Sequence, residues 1–154
     1  MKITAREYLK QIRKINRLIE NKLIEIEQWK AIAQGTTTFP DGERVQSSGN
    51  QQQMEKAVCI YTDIEAEINE EIKKLRKLKD EVTKTIEKLP ETEYNLLHKL
   101  YIGVIREDKK GKKHIAYLSL EEFAEANGKT ISWAKTKHRK ALKSVQIMLD
   151  ERSK

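Results

Sequence analysis

The chain has few of the residues that staple, bend or metallate a fold. It holds one cysteine, Cys59, so no disulfide can close within it, which fits a reducing compartment. Six glycines and two prolines in 154 residues leave few places to turn, so its elements should be few and long. No stretch approaches the ~18 apolar residues of a membrane span. The N-terminal MKITAREYLKQIRKINRLIE breaks its apolar positions with charge and does not read as a signal peptide. A cytoplasmic protein without a membrane partner is expected.

Signatures of catalysis are missing too. His98, His114 and His138 are scattered, with no cysteine partner and no H-x-x-x-H spacing, so no metal is expected. There is no G-x-S-x-G and no phosphate-binding glycine loop, and no carboxylate lies within an apolar run, as a general acid/base pair would require. The expectation is a protein that is not an enzyme and carries no cofactor.

Charge, in contrast, is plentiful. With 38% hydrophobic and 36% charged residues, the composition suits helices that each bury a single stripe. The net charge of +7 is unevenly spread. Residues 1–90 carry 17 bases and 15 acids, whereas residues 91–154 carry 14 bases and 9 acids. A basic excess confined to the C-terminal part suggests an anionic partner such as nucleic acid.

Apolar spacing predicts a helix over 4–33, opened by a Thr4/Glu7 capping box. Its stripe is Tyr8, Ile12, Ile15, Ile19, Ile26, Trp29 and Ala33, widened by Leu9, Leu18 and Leu23. Residues 34–53 are polar and glycine-rich and read as a flexible loop. A second helix, 52–88, repeats Met54, Tyr61, Ile68, Leu75, Val82 and Leu89 at intervals of seven, with Val58, Ile64, Ile72, Leu78 and Ile86 between them. The two helices can form an antiparallel coiled-coil-like hairpin. Pairing between chains would bury the same seam and gives a homo-oligomer.

Leu89-Pro90 ends that helix and opens the next, whose apolar face is Tyr94, Leu97, Leu100 and Tyr101. Val104-Ile105 and Ile115-Tyr117 flank a basic tip of Lys109, Lys110, Lys112 and Lys113, giving either a small β-hairpin or an irregular loop. Ser119 and Glu122 cap a short helix that Asn127-Gly128 closes, and Thr130 caps a final helix to about residue 150. The predicted fold is therefore all-α. A two-helix coiled-coil-like region occupies 1–89 and a helix-turn-helix domain occupies 90–154, with the candidate β-hairpin inserted in it.

From Asn127 to Ser144 there are six lysines or arginines and no acid. A short helix, a glycine turn after Ala124-x-x-x-Gly128 and a longer basic helix make the helix-turn-helix outline. The core side of the last helix would be Ala134, Leu142 and Val145, with Ala141 close-packed. An acid on a helix in the major groove would face phosphates, whereas each base there releases counterions. Lys129 and Thr130 sit at the helix start, where the dipole favours a phosphate. Lys137, Lys140 and Lys143 would hold the DNA backbone, and Ser132, Trp133, Lys135, Thr136 and Arg139 are candidates to meet base edges. Trp133 has a second role open to it, filling the gap beside the small Ala134. The basic tip Lys109, Lys110, Lys112 and Lys113 is a candidate wing.

TISWAKTKHRKALKSV, preceded by SLEEFAEANGK, resembles region 4 of bacterial sigma factors. There a Thr or Ser caps the recognition helix, matched by Thr130, and an Arg/Lys-Ala-Leu triplet follows, matched by Lys140-Ala141-Leu142. LPETEYNLLHKLYIGV resembles the sigma-type entry LP…E…LL…YIEG. The chain departs from that pattern by inserting Arg106–Leu118 and by placing Ala134 where Ile or Val normally packs. Taken whole, it resembles small phage and prophage proteins of Gram-positive bacteria, some of unknown function, whose relatives are late-operon transcriptional regulators. The resemblance implies a sequence-specific regulator bound to double-stranded DNA, with RNA polymerase as a candidate partner. A DNA-packaging protein like a small phage terminase subunit, or a helical protein–protein adaptor, are the rival expectations.

Overall fold

The side chains that open the first helix are legible in its hydrogen bonds. Thr4 Oγ1 accepts from the Glu7 N–H at 3.2 Å, and the Glu7 carboxylate accepts from the Thr4 N–H at 3.3 Å. This reciprocal cap starts α1, Ala5–Ala33. The computed structural model describes residues 3–35 and 47–153. After α1 come α2 (Ser47–Ile86) and α3 (Glu91–Leu97), which runs into one π turn (His98–Ile102). Strands β1 (Val104–Glu107) and β2 (Lys113–Ala116) follow, then α4 (Leu120–Ala126) and α5 (Ile131–Arg152).

The described chain is thus mainly helical, as expected, with one small sheet. Of the two readings open for residues 104–117 the hairpin is the one formed. β1 and β2 pair antiparallel, with Val104 opposite Ala116 and Glu107 opposite Lys113. The expected loop 34–53 needs correcting at its far end, since helix begins at Ser47. At the near end Gly35 turns the chain at φ +75°. The rest of that loop, 36–46, lies outside the described residues.

Contacts divide the chain into two compact units. One comprises Ile15–Arg76. Its core joins Ile19 and Ile26 of α1 to Ile64 and Ile68 of α2, flanked by Ile15, Trp29, Ile60, Tyr61 and Leu75. The ion pairs Lys22–Glu67 (3.1 Å) and Lys30–Glu65 (3.4 Å) border this seam. Half-exposed pairs of this kind add at most about 1 kcal/mol each. Four expected seam residues face solvent instead: Leu18 and Leu23 on α1, Val58 and Ile72 on α2. Ala57, next to Val58, is the buried one. A straight helix drifts ~20° per heptad, and a single partner helix covers only one narrow stripe. Positions at the edge of a seven-residue repeat therefore turn outward.

The other unit takes Met1–Lys14 with Lys77–Lys154. Its core gathers Tyr8, Leu9 and Ile12 from α1, Val82 and Ile86 from α2, and Leu96, Leu97, Leu100 and Tyr101 from α3 and the π turn. Phe123 of α4 and the Ala134, Ala141 and Val145 stripe of α5 complete it. Distant segments are tied by polar groups at its edge. Arg152 donates to Thr85 Oγ1 at 2.7 Å and to the Tyr8 hydroxyl at 3.5 Å. Gln146 accepts from the Ala5 N–H at 2.7 Å and donates to the Ile3 carbonyl at 3.4 Å. One carboxylate is buried against expectation: Glu93, in the first turn of α3. Burial there follows from tertiary packing and not from an apolar run around it.

Gly103 ends the π turn at φ +104° and ψ 176°, a conformation essentially reserved for glycine. A Cβ there would lie 2.8 Å from Ile115 Cγ2 and 3.0 Å from the Ala116 carbonyl. Gly103→Ala should therefore destabilise this unit by about 3 kcal/mol, read from Trp133 fluorescence in urea with Trp29 replaced by Phe. In Ile15–Arg76, Ile64→Ala should cost about 3 kcal/mol and Ile72→Ala less than about 1 kcal/mol. Trp29 fluorescence reports both, and equal losses would contradict the burial pattern.

Candidate nucleic-acid interface

The start of α5 is set by four turn residues. Ser119 and Glu122 cap α4 reciprocally. At its other end Gly128 takes φ +66°, its N–H bonding the Glu125 carbonyl at 3.0 Å and the Lys129 N–H bonding the Ala124 carbonyl at 2.8 Å. This double bond pattern is the Schellman stop. Asn127 does not share the positive φ, but its side chain donates to the Phe123 carbonyl at 2.8 Å. Thr130 then accepts from the Trp133 N–H at 3.3 Å and opens α5. Its hydroxyl oxygen is therefore already engaged.

Small residues let α4 and α5 pack closely: Ala124, Ala134 and Ala141 are all buried. Trp133 is half-buried, and its ring stacks on Phe123 with centroids 5.9 Å apart and planes 4° off parallel. Lys99 Nζ lies 6.0 Å from the centre of the Phe123 ring. Trp133 thus packs on Phe123 while keeping part of its ring at the surface.

The opposite side of α5 is cationic. Ser132, Lys135, Thr136, Arg139, Lys140 and Lys143 are all exposed, as are Lys129 and Thr130 before them. Lys137 is half-buried at the flank. Thr136 donates its hydroxyl to the Ser132 carbonyl at 2.9 Å, leaving its oxygen lone pairs outward. The candidate wing is also exposed. Asp108 Oδ1 accepts from the N–H groups of Lys110 and Lys112, both at 2.9 Å, which presents Lys109, Lys110, Lys112 and Lys113 around Gly111. Arg106 of β1 pairs with Glu122 of α4, and this contact, with the Ser119 N–H, holds the Glu122 carboxyl below its usual range. Such a surface has the charge to lie along a polyanion and release its counterions.

Beneath that face is a group the sequence reading passed over. His138 is 8% exposed, on the inner stripe of α5. The Tyr101 hydroxyl lies 2.7 Å from its Nε2, and the two rings stack at 5.8 Å. The Arg13 guanidinium sits 5.0 Å from the Tyr101 ring centre and 4.8 Å from that of Tyr117, and donates to the Leu100 carbonyl. Burial, then the charges of Arg6 and Arg13, hold the His138 pKa below its ordinary value. Both causes favour the neutral imidazole, which shares a hydrogen bond with the Tyr101 hydroxyl at Nε2. The signal for it was available: His138 is four residues after Ala134 and three before Ala141, on the same helical stripe. Leu142, expected on the core side, is only half-buried.

Among the described residues no helix is long and apolar enough to cross a membrane, and no group of three or more His, Cys, Asp or Glu could hold a metal. No protein-family model, curated protein or solved structure matches the chain.

His98 behaves like His138: burial first, then Lys79 and Lys99, lower its pKa. Both imidazoles bind a proton more readily in the unfolded chain, whose ordinary value is 6.5. Stability is then complete above about pH 6.5 and falls as the pH drops through that value towards the folded pKa values. The urea midpoint followed by Trp133 should decline between pH 7 and 5, and His138→Gln should flatten the decline. An unchanged slope in that variant would show that His138 is not held neutral.

Proposed function

We propose that the protein is a sequence-specific DNA-binding transcriptional regulator of a phage or prophage type. In this reading α4, the Gly128 turn and α5 form a helix-turn-helix akin to sigma region 4, and α5 is the recognition helix. One observation carries it. Over Ile131–Leu149 the exposed side of α5 holds Lys135, Arg139, Lys140 and Lys143 with Ser132 and Thr136 and no acid, while its buried side is made largely of small and apolar residues. The basic hairpin tip, anchored to α4 through Arg106–Glu122, supports a wing that touches the DNA backbone.

Residues 15–76 are read as an antiparallel helical hairpin that serves oligomerisation or RNA polymerase contact. Pairings such as Lys22 with Glu67 and Lys30 with Glu65, in which position rises on α1 as it falls on α2, support the antiparallel sense. The outward Leu18, Leu23, Val58 and Ile72 supply apolar surface for a partner.

Selection of bound duplexes from a random library at near-physiological salt should enrich one motif. An Arg139→Ala/Lys140→Ala variant, with both side chains exposed, should keep its helical content and lose the enrichment. Its duplex affinity should fall by at least about tenfold, since two phosphate or base contacts disappear. Affinity equal to wild type would remove α5 as the reader.

A further inference from the structure

A cleft of about 250 Å³ opens between the first turns of α1 and the outer half of α5. Arg6, Leu120, Lys135, His138, Arg139 and Leu142 line it. No acid is among them. Two of its cations, Lys135 and Arg139, are one turn apart on α5, where like charges repel. The third, Arg6, comes from α1, far away in sequence, and reaches the Tyr101 hydroxyl that bonds His138. Among the described residues none of the three cations has a carboxylate partner. Three unpaired positive groups around one concavity repel one another until an anion sits between them.

We propose that this cleft is a phosphate-binding site, held by Arg6, Lys135 and Arg139. Resting on the reading of α5 as the DNA-contacting helix, the group it takes is a backbone phosphate of the bound duplex. Arginine suits the task because its planar fork gives paired hydrogen bonds to phosphate oxygens. Leu120 and Leu142 leave an apolar wall for the sugar beside that phosphate. Two consequences follow. Lys135 and Arg139 become phosphate ligands, so reading of base edges falls to Ser132, Thr136 and their outer neighbours. The first turn of α1 becomes part of the DNA surface, which places a contact outside the C-terminal residues altogether.

The full chain is tested in two arms. In the first, the affinities of wild type, Arg6→Gln and Arg6→Lys for the selected duplex and for an unrelated duplex are followed against salt. Arg6→Gln should weaken both duplexes by the same several-fold factor and lower the salt slope by about one, while Arg6→Lys keeps most of the slope. In the second, inorganic phosphate is titrated at constant ionic strength while the His138 imidazole signals are followed by NMR. Wild type should shift and Arg6→Gln should not.

Wild-type affinity and slope in Arg6→Gln, together with an unmoved His138 signal, would overturn the site. If Lys143→Gln still weakened DNA binding in that case, the DNA reading would survive without the cleft. Should wild type bind no duplex at all while phosphate moves His138 only when Arg6 is present, the DNA reading fails and the cleft stands as a site for free phosphate. Arg6 is exposed, so loss of folding does not confuse the comparison.

Discussion

The inner stripe of α5 is the constraint on which the rest depends. Ala134, Ala141 and Val145 carry little bulk and are fully buried, so α3 and α4 can approach the backbone of a helix that is otherwise strongly basic. A cationic helix has no reason to fold alone, because its like charges repel and short helices in water are marginal. Packing one side fixes it, and the same packing turns every lysine and arginine of the other side to solvent. His138 belongs to this stripe as its one polar member, satisfied by Tyr101 instead of water. Apolar burial and charge presentation are thus two results of one helix rotation.

Turn chemistry fixes that rotation. The capping box at Ser119, the positive φ of Gly128 and the Thr130 cap leave α5 one direction of departure from α4. The polar ties of Arg152 and Gln146 then bring the start of α1 and the end of α2 against the far half of the same helix. These contacts join residues more than sixty positions apart. They are why the compact unit contains Met1–Lys14 as well as Lys77–Lys154, where the sequence reading drew one line at residue 89. A long helix can contribute its two ends to different cores, and a stripe of uniform spacing carries no mark of where that change happens.

Electrostatics divides the charged residues by what surrounds them. Glu122 lies at the surface, where Arg106 favours its ionised form, a pairing that steadies the hairpin on α4. Arg13 is spent on the Tyr101 and Tyr117 rings and on a carbonyl, so its charge serves packing. Arg6, Lys135 and Arg139 have no carboxylate partner among the described residues, and Arg6 touches the Tyr101 hydroxyl. The distinction separates structural bases from those free for a ligand, and net charge alone does not make it.

Local rules were legible because their causes are local. Thr4, Ser119 and Thr130 cap helices through hydrogen bonds that span three residues, and Gly128 stops α4 because no side chain hinders its φ. Periodicity placed α1, α2 and α5 and most of their buried stripes, and composition placed the acid-free run on the last helix. Other features belong to tertiary structure. The outward turn of Val58 and Ile72, the burial of Glu93 and the Tyr101–His138 pair depend on which neighbour arrives beside a given face. The meeting of Arg6 with Lys135 and Arg139 is the clearest case. The sequence determined which residues could form each helix and which faces they would offer; only the packing of those helices decided which charges share one cleft, because that distance is set by contacts between segments that the chain order keeps apart.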